Sequence, residues 1–297
     1  MCDHCLKHGT AGKWYLNAKN YTMEVMEEFN KDEDSLKEFL LEQYKTFEAM
    51  QVRKVAGFSA IGLGYKIQKP IIGRVVKYFA ERMLHSTKPK YNPKQAEGHI
   101  GQVVPLDDAI AILENCVDEN TIIMKYCMCR YQARAEKEAC CINFGVMSNV
   151  IDKLPRFIPE PKNSKYRLTK EEAIEKFTEF NKKGYIGTIW YGAFPYINNL
   201  CACKTPECAG FRPRVDFGIK SIFKAEYVVQ NNPDNCQGCK HCLTMCQFGA
   251  ISFNEQTKTS EVDQEICYGC GVCLHACRFD ALKLVPRQVI PALVGKY

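Results

Sequence analysis

Eight cysteines near the C-terminal end fall into one pattern written twice. Cys236, Cys239, Cys242 and Cys246 follow C-x-x-C-x-x-C-x-x-x-C, and Cys267, Cys270, Cys273 and Cys277 repeat it at an offset of 31 residues. A [4Fe–4S] cube asks for one thiolate at each of its four irons. Three thiolates spaced by two residues can wrap one cube from a tight loop, but the fourth corner lies across that cube. A cysteine three residues further on opens a short helix and points away from its own loop. Both runs share a frame. A short strand is expected before each (227–230 and 261–263), a glycine stands before each second cysteine (Gly238 and Gly269), and a strand follows each fourth cysteine (250–253 and 281–285). A structural zinc is the competing use of any four-cysteine group, but it does not call for the doubled pattern.

These residues carry a family likeness. The segment 231–285 resembles a bacterial-type two-[4Fe–4S] (dicluster) ferredoxin domain, which implies a ferredoxin-like fold with a pseudo-twofold repeat and one-electron transfer. In that family the fourth cysteine of each run serves the other cube. The resemblance therefore implies one cluster on Cys236, Cys239, Cys242 and Cys277, and a second on Cys267, Cys270, Cys273 and Cys246. The family carries proline after each fourth cysteine; here Gln247 and Arg278 stand there. Both leave donors near the sulfurs and Arg278 adds a positive charge, so the expectation is a raised potential.

The chain has 18 cysteines, and those upstream form groups of their own. Cys127, Cys129, Cys140 and Cys141 lie close together, as do Cys201, Cys203 and Cys208. They are expected in loops after strands, where thiols are free to bind metal. Four suffice for a cubane, so a third Fe–S cluster is expected on Cys129, Cys141, Cys203 and Cys208, with Cys127, Cys140 and Cys201 beside it. A fourth cluster or a zinc ion is the alternative use of these thiols. The Cys140-Cys141 pair partly resembles the cysteine-rich domains of heterodisulfide reductases, whose unusual clusters handle disulfides, although Ile142 replaces their glycine and the closing pairs are Cys-x-Cys. Segments 127–145 and 201–208 are also similar to the Cys-x-Cys-Arg module found ahead of ferredoxin domains in anaerobe iron–sulfur proteins. Cys116 continues a helical stripe and reads as a core residue. Cys2 and Cys5, beside His4 and His8, make a terminal C-x-x-C that could take a metal. The other histidines are scattered; His241 and His275 are expected at solvent-facing positions.

Composition narrows the function classes. The 297 residues are 46% hydrophobic and 25% charged, which excludes a disordered chain. No apolar run approaches the roughly 18 residues of a membrane span. The start, Met1-Cys2-Asp3-His4-Cys5, lacks the basic and apolar segments of a secretory signal, so a cytoplasmic location is expected, where dense cysteines serve metals rather than disulfides. Net charge is +6, but Lys and Arg are interspersed with Asp and Glu, and no nucleic-acid partner is expected. The basic excess lies outside 231–285 and suits a redox partner with an acidic face.

The positioning elements are legible in part. Residues 21–50 read as two helices with a break near 30–34, and 70–84 as another. The glycines of 55–65 lack the strand and third glycine of a dinucleotide loop. Pro105 and Asp107–Asp108 start a helix with the stripe Leu106, Ala109, Ile110, Leu113 and Val117, and a strand over 121–126 leads to Cys127. The pattern recurs. Thr169 and Glu172 form a capping box, Ala173, Ile174, Phe177 and Phe180 face inward, Gly184 ends the helix, and a strand over 185–191 precedes Cys201. Trp190, Tyr191, Phe194 and Tyr196 read as packing. The expected class is α+β: a helical N-terminal segment (1–88), a small α/β cysteine-rich domain (89–220), a two-[4Fe–4S] domain (221–285) and a tail (286–297). The expected function is passage of single electrons to a redox partner, with a place as a subunit of a larger complex left open. The alternative is a cluster-dependent reductase with its substrate site, of disulfide or other type, in the cysteine-rich domain.

Overall fold

The helix and strand signals between residues 101 and 223 resolve into one mixed sheet with helices packed on it. The computed structural model describes residues 13–27, 32–46, 74–75, 78, 101–150, 166–193, 196–218 and 222–297. Cys2 and Cys5, the 55–65 glycines, Phe194 and nearly all of the expected 70–84 helix lie outside these residues.

The sheet comprises β1 (Gly101–Val103), β2 (Ile123–Tyr126), β3 (Ala139–Asn143), β4 (Ile186–Ala193), β5 (Tyr196–Cys203) and β6 (Ile222–Phe223), in the order β2-β3-β5-β4-β1-β6. Only β1 and β6 pair in parallel; the other neighbours are antiparallel. The helix-then-strand rhythm of the sequence suggested an α/β layer. The observed sheet departs from it because β5 starts three residues after β4 ends, too few for a crossover, so the two strands pair as neighbours.

Ahead of the sheet stand α1 (Glu24–Glu27) and α2 (Glu33–Thr46). Val25, Met26, Leu36 and Leu40 pack on Val146, Met147 and Tyr196. Helix α3 (Leu106–Asn115) begins with Asp107 and Asp108, favourable charges at a helix N-terminus, and buries Ala109, Ile112 and Leu113; Ile110 of the expected stripe is half-buried. Helix α4 (Met128–Arg134) follows β2 directly, and α5 (Val146–Val150) follows β3. Helix α6 (Lys170–Lys182) has the expected capping box: Thr169 Oγ1 accepts from the Glu172 N–H, and the Glu172 carboxylate accepts from the Thr169 N–H. It packs on β3, β5 and α3, and the chain leaves it at Gly184 with φ of +88°. Residues 13–21 were not expected in the core, yet Trp14 and Tyr15 are fully buried. Their Nε1–H and O–H donate to Gln102 and Asp108 at 2.7 Å each.

After α7 (Phe211–Phe217) comes the C-terminal unit: β7 (Tyr227–Asn231), α8 (His241–Met245), β8 (Ile251–Asn254), β9 (Thr259–Val262) and β10 (Leu282–Pro286). β7 pairs with β10 and β8 with β9, both antiparallel, so the first strand of one cysteine run joins the last strand of the other. The unit docks on the sheet domain. His275 Nε2 lies 2.7 Å from Asn181 Oδ1 at the end of α6, and within the unit the buried Arg287 donates to the carbonyls of Ala225, Tyr227 and Cys267. Among the described residues no helix is long and apolar enough to cross a membrane.

Candidate functional site

The C-terminal cysteine loops are shaped by glycines that no other residue could replace without strain. Gly238 and Gly269 have φ of +63° and +69°, the left-handed region. A Cβ on Gly238 would sit 2.5 Å from the Lys258 carbonyl oxygen, and one on Gly269 would enter the backbone carbonyl of Tyr227. The loops thus lie flat against strands, and backbone N–H groups reach the sulfurs. Ser260 N–H donates to Cys236 Sγ at 3.4 Å and Ala250 N–H to Cys246 Sγ at 3.3 Å. Val229 and Gly269 N–H both donate to Cys267 Sγ, at 3.5 and 3.4 Å. Such donors stabilise thiolates and clusters.

One cavity brings the two runs together. Cys236, Cys239 and Cys242 of the first run line it with Cys277 of the second, beside Ser260, Phe279 and Leu282. Four thiols around one cavity, with the Ser260 N–H behind Cys236, fit a four-thiolate cluster. Cys246 lies within electrostatic reach of Cys267, Cys270 and Cys273. The two groups differ in exposure. Cys239 is exposed, whereas Cys267, Cys270 and Cys273 are buried. Burial pushes the Cys270 thiol up to about 12 and raises Cys267 as well; ligation would remove these protons.

Upstream, all seven expected thiols meet at one end of the sheet. Cys141 of β3 is directly opposite Cys201 of β5, and Cys203 closes β5 opposite Ile186. Cys127 and Cys129 enter α4 from the end of β2, where the register shifts at Lys125/Tyr126. The thiols form a closed ring of contacts. Cys127 interacts with Cys129, Cys140 and Cys141; Cys141 with Cys201; Cys201 with Cys203; and Cys208 with Cys129, while the Cys208 thiol is hydrogen-bonded to Cys203 Sγ at 3.4 Å. The Sγ atoms of Cys127, Cys140 and Cys141 all lie within 4.8 Å of one another, a separation at which a metal ion can be held. Cys129 is half-buried and the other six are buried. Cys116 is apart from the ring; its Sγ faces the Leu16 carbonyl at 3.5 Å.

The expectation that these thiols occupy loops is corrected. Cys140, Cys141, Cys201 and Cys203 are strand residues and Cys129 is helical. The preceding Asn198 and Asn199 argue locally against a strand, but β5 is a central strand and tertiary pairing overrides that preference.

Three side chains around the ring were not among the expected site residues. Arg130, which follows Cys129, is buried, donates to Cys140 Sγ at 3.7 Å and is ion-paired with Glu138; its guanidinium lies 4.7 Å from the Tyr185 ring centroid. Thr188 Oγ1 contacts Cys203 Sγ at 3.2 Å and accepts from Trp190 Nε1 at 2.8 Å. Arg130 could have been suspected from Cys-x-Cys-Arg; Thr188 and Trp190 are reached only through the β4–β5 pairing. Within the ring, hydrogen bonds from Cys129, Cys140 and Cys141 hold the Cys127 thiol below its ordinary range. The Cys141 bond brings Cys201 down to about 7, and the Cys127 bond pushes Cys140 up to about 12.

The residues after the fourth cysteines behave differently from each other. Arg278 is exposed, so its charge is screened by solvent. Gln247 turns its side chain away from the sulfurs: its Oε1 accepts from the Thr205 N–H and Oγ1–H at 2.7 and 3.0 Å, and its Nε2 donates to the Gly184 carbonyl. His241 and His275 are both exposed, as expected.

Comparison with known proteins agrees with this geometry. A stretch of 72 residues is 39% identical to the arsenate respiratory reductase iron–sulfur subunit of Shewanella sp. (strain ANA-3), covering 22% of this chain and 29% of that protein. The chain therefore spans under a third of that relative's length. Residues 235–281, which hold both cysteine runs, match the family model of the 4Fe-4S dicluster domain, and the C-terminal part of the chain is an iron–sulfur domain of that kind.

Proposed function

We propose that the chain is an iron–sulfur electron-transfer protein that works as a subunit, or docked partner, of a larger redox assembly. Cys236, Cys239, Cys242 and Cys277 would hold one [4Fe–4S] cluster, Cys267, Cys270, Cys273 and Cys246 a second, and the seven-thiol ring a third. The observation that carries the reading is the cavity shared by three thiols of the first run and Cys277 of the second. Clusters bound there supply reversible one-electron storage. The strand exchange between the runs supports a pseudo-twofold domain.

The protein's own groups fit that task. Backbone N–H donors and the buried Arg287 at the Cys267 carbonyl offset added negative charge near the sulfurs. Exposed Cys239 gives partners an edge to approach. The basic excess outside 231–285 suits an acidic redox partner, and the relative's printed name, a reductase subunit, supports a place in a complex.

Paired variants test the crossed ligation. Cys236→Ala and Cys277→Ala should perturb the same EPR centre of the reduced protein, and Cys246→Ala should perturb the centre lost in Cys267→Ala. If Cys277→Ala instead disturbs the Cys267 centre, the assignment is wrong.

A reductase is the second reading. It is favoured by the surplus of ring thiols: a cubane or a tetrahedral zinc takes four, and the ring has seven. An EPR signal of the ring altered by small thiols or disulfides would support a substrate site; an indifferent signal would favour the carrier.

A further inference from the structure

We propose that the thiol ring is wired to the Cys246/Cys267/Cys270/Cys273 site through Gln247 and the Phe211–Phe248–Tyr268 stack, leaving the Cys236 site as the outer port. The inference rests on the reading above, that the ring and both C-terminal groups hold redox centres.

Three observations converge on one short seam between the two parts of the chain. The first is a hydrogen-bonded clamp. Thr205 lies between Cys203 and Cys208, both ring thiols, and its N–H and hydroxyl donate to Gln247 Oε1 at 2.7 and 3.0 Å. Gln247 is covalently next to Cys246. From Cys203 to Cys246 the route is therefore bonded throughout, with one hydrogen bond and no gap through space.

The second is aromatic. Phe248 stacks on Tyr268 with centroids 3.8 Å apart and planes 14° from parallel; Phe211 meets Phe248 edge-on at 5.3 Å and Tyr268 at 6.1 Å. Tyr268 sits between Cys267 and Cys270 in the chain, and the Phe211 N–H donates to the Cys208 carbonyl at 3.2 Å. The stack thus joins a ring thiol's backbone to the second cysteine loop. The third is continuity of the core. Tyr268, Cys270 and Val272 belong to the same buried cluster as the ring cysteines, whereas Cys242, Cys267, Cys273 and Cys277 belong with the core around Val228 and Val229. The second loop straddles both cores.

Electron tunnelling falls off steeply with distance and is carried better by bonds than by gaps, so a contiguous bonded and packed seam is where transfer should run. Exposed Cys239 and half-buried Cys236 and Cys277 place the first site on the solvent side of this path. The order is then outer site, inner site, ring. Each step moves one electron between neighbouring sites, and no bond forms or breaks.

The test uses the full chain, purified without oxygen, with methyl viologen radical as donor; each transfer oxidises the radical to its dication. Iron and labile sulfide are counted first. Freeze-quench EPR then follows reduction of the ring relative to the C-terminal centres, and a redox titration fixes the midpoint potentials. Gln247→Leu keeps bulk but removes the clamp, and should slow ring reduction measurably while C-terminal reduction and all midpoint potentials stay put. Thr205→Val, which keeps the N–H bond, and Phe248→Leu, which breaks the stack, should each slow it less. Unchanged ring reduction in Gln247→Leu and Phe248→Leu at wild-type iron content would overturn the wiring alone. A wild-type count of about eight irons would instead remove the ring as a redox centre, and the wiring with it.

Discussion

Two glycines of the dicluster domain separate conformational strain from steric conflict. Gly249 and Gly269 have nearly equal backbone angles, φ of +66° and +69°. A Cβ on Gly249 meets nothing within 4 Å; on Gly269 it overlaps the Tyr227 carbonyl, with that carbon at 2.7 Å and the Ala225 Cβ at 3.1 Å. Left-handed alanine costs about 1 kcal/mol, and this applies to both. Gly269→Ala adds an overlap of about 1 Å against a normal carbon contact of roughly 3.5–4 Å. The obstacle is the backbone of β7, which cannot rotate aside, so overpacking adds about 2 kcal/mol. A 2 kcal/mol difference is roughly 30-fold in a rate or an equilibrium constant. The assay is the rate at which the visible cluster absorption bleaches in guanidinium under argon. Gly269→Ala should bleach roughly 30-fold faster than Gly249→Ala if the overlap is released before the unfolding barrier. Equal rates, or a more fragile Gly249→Ala, would refute the claim that the second cysteine loop is set by its approach to β7.

Other outcomes follow from the same geometry. Cys203→Ala should lower bound iron by about four per chain, while Cys116→Ala, outside the ring, should leave iron unchanged. Arg130→Met should lower the midpoint potential of the ring centre by roughly 60–120 mV, since a buried cation at Cys140 favours the reduced state; a redox titration reads this. Lys224 is brought from its usual 10.5 down to about 8, first by burial and then by Arg287 and Arg214. Its ammonium therefore weighs against the fold below pH about 8, and that burden lifts as pH rises toward 10.5. Amine-reactive labelling of Lys224, followed by peptide mapping, should rise with a midpoint near pH 8 rather than with the bulk lysines.

The sequence was most legible where local chemistry decides structure. The α6 capping box, the Gly184 terminus and the four strands flanking the cysteine runs are set by neighbouring residues, and they stand where expected within a residue or two. The doubled cysteine spacing identified the dicluster domain because a cube fixes its ligands' separations. Long-range pairing was not legible. Nothing near Asn198 and Asn199 announces a strand, so β5 and the facing of Cys141 with Cys201 were hidden, although the spacing of the seven upstream thiols did point to their gathering at one site. Gln247 stands out in the sequence as a missing proline, but its hydrogen bonds depend on Thr205, 42 residues away. Trp14 and Tyr15 entered the core through partners at 102 and 108 that no local pattern links to them.

The central claim is that the ring holds an iron–sulfur centre beside the two of the C-terminal domain. Iron, acid-labile sulfide and zinc per chain, measured on anaerobically purified protein, test it most directly. The expected result is about twelve irons or more with matching sulfide and negligible zinc. About eight irons, with either one zinc or seven ring thiols open to alkylation, would contradict it.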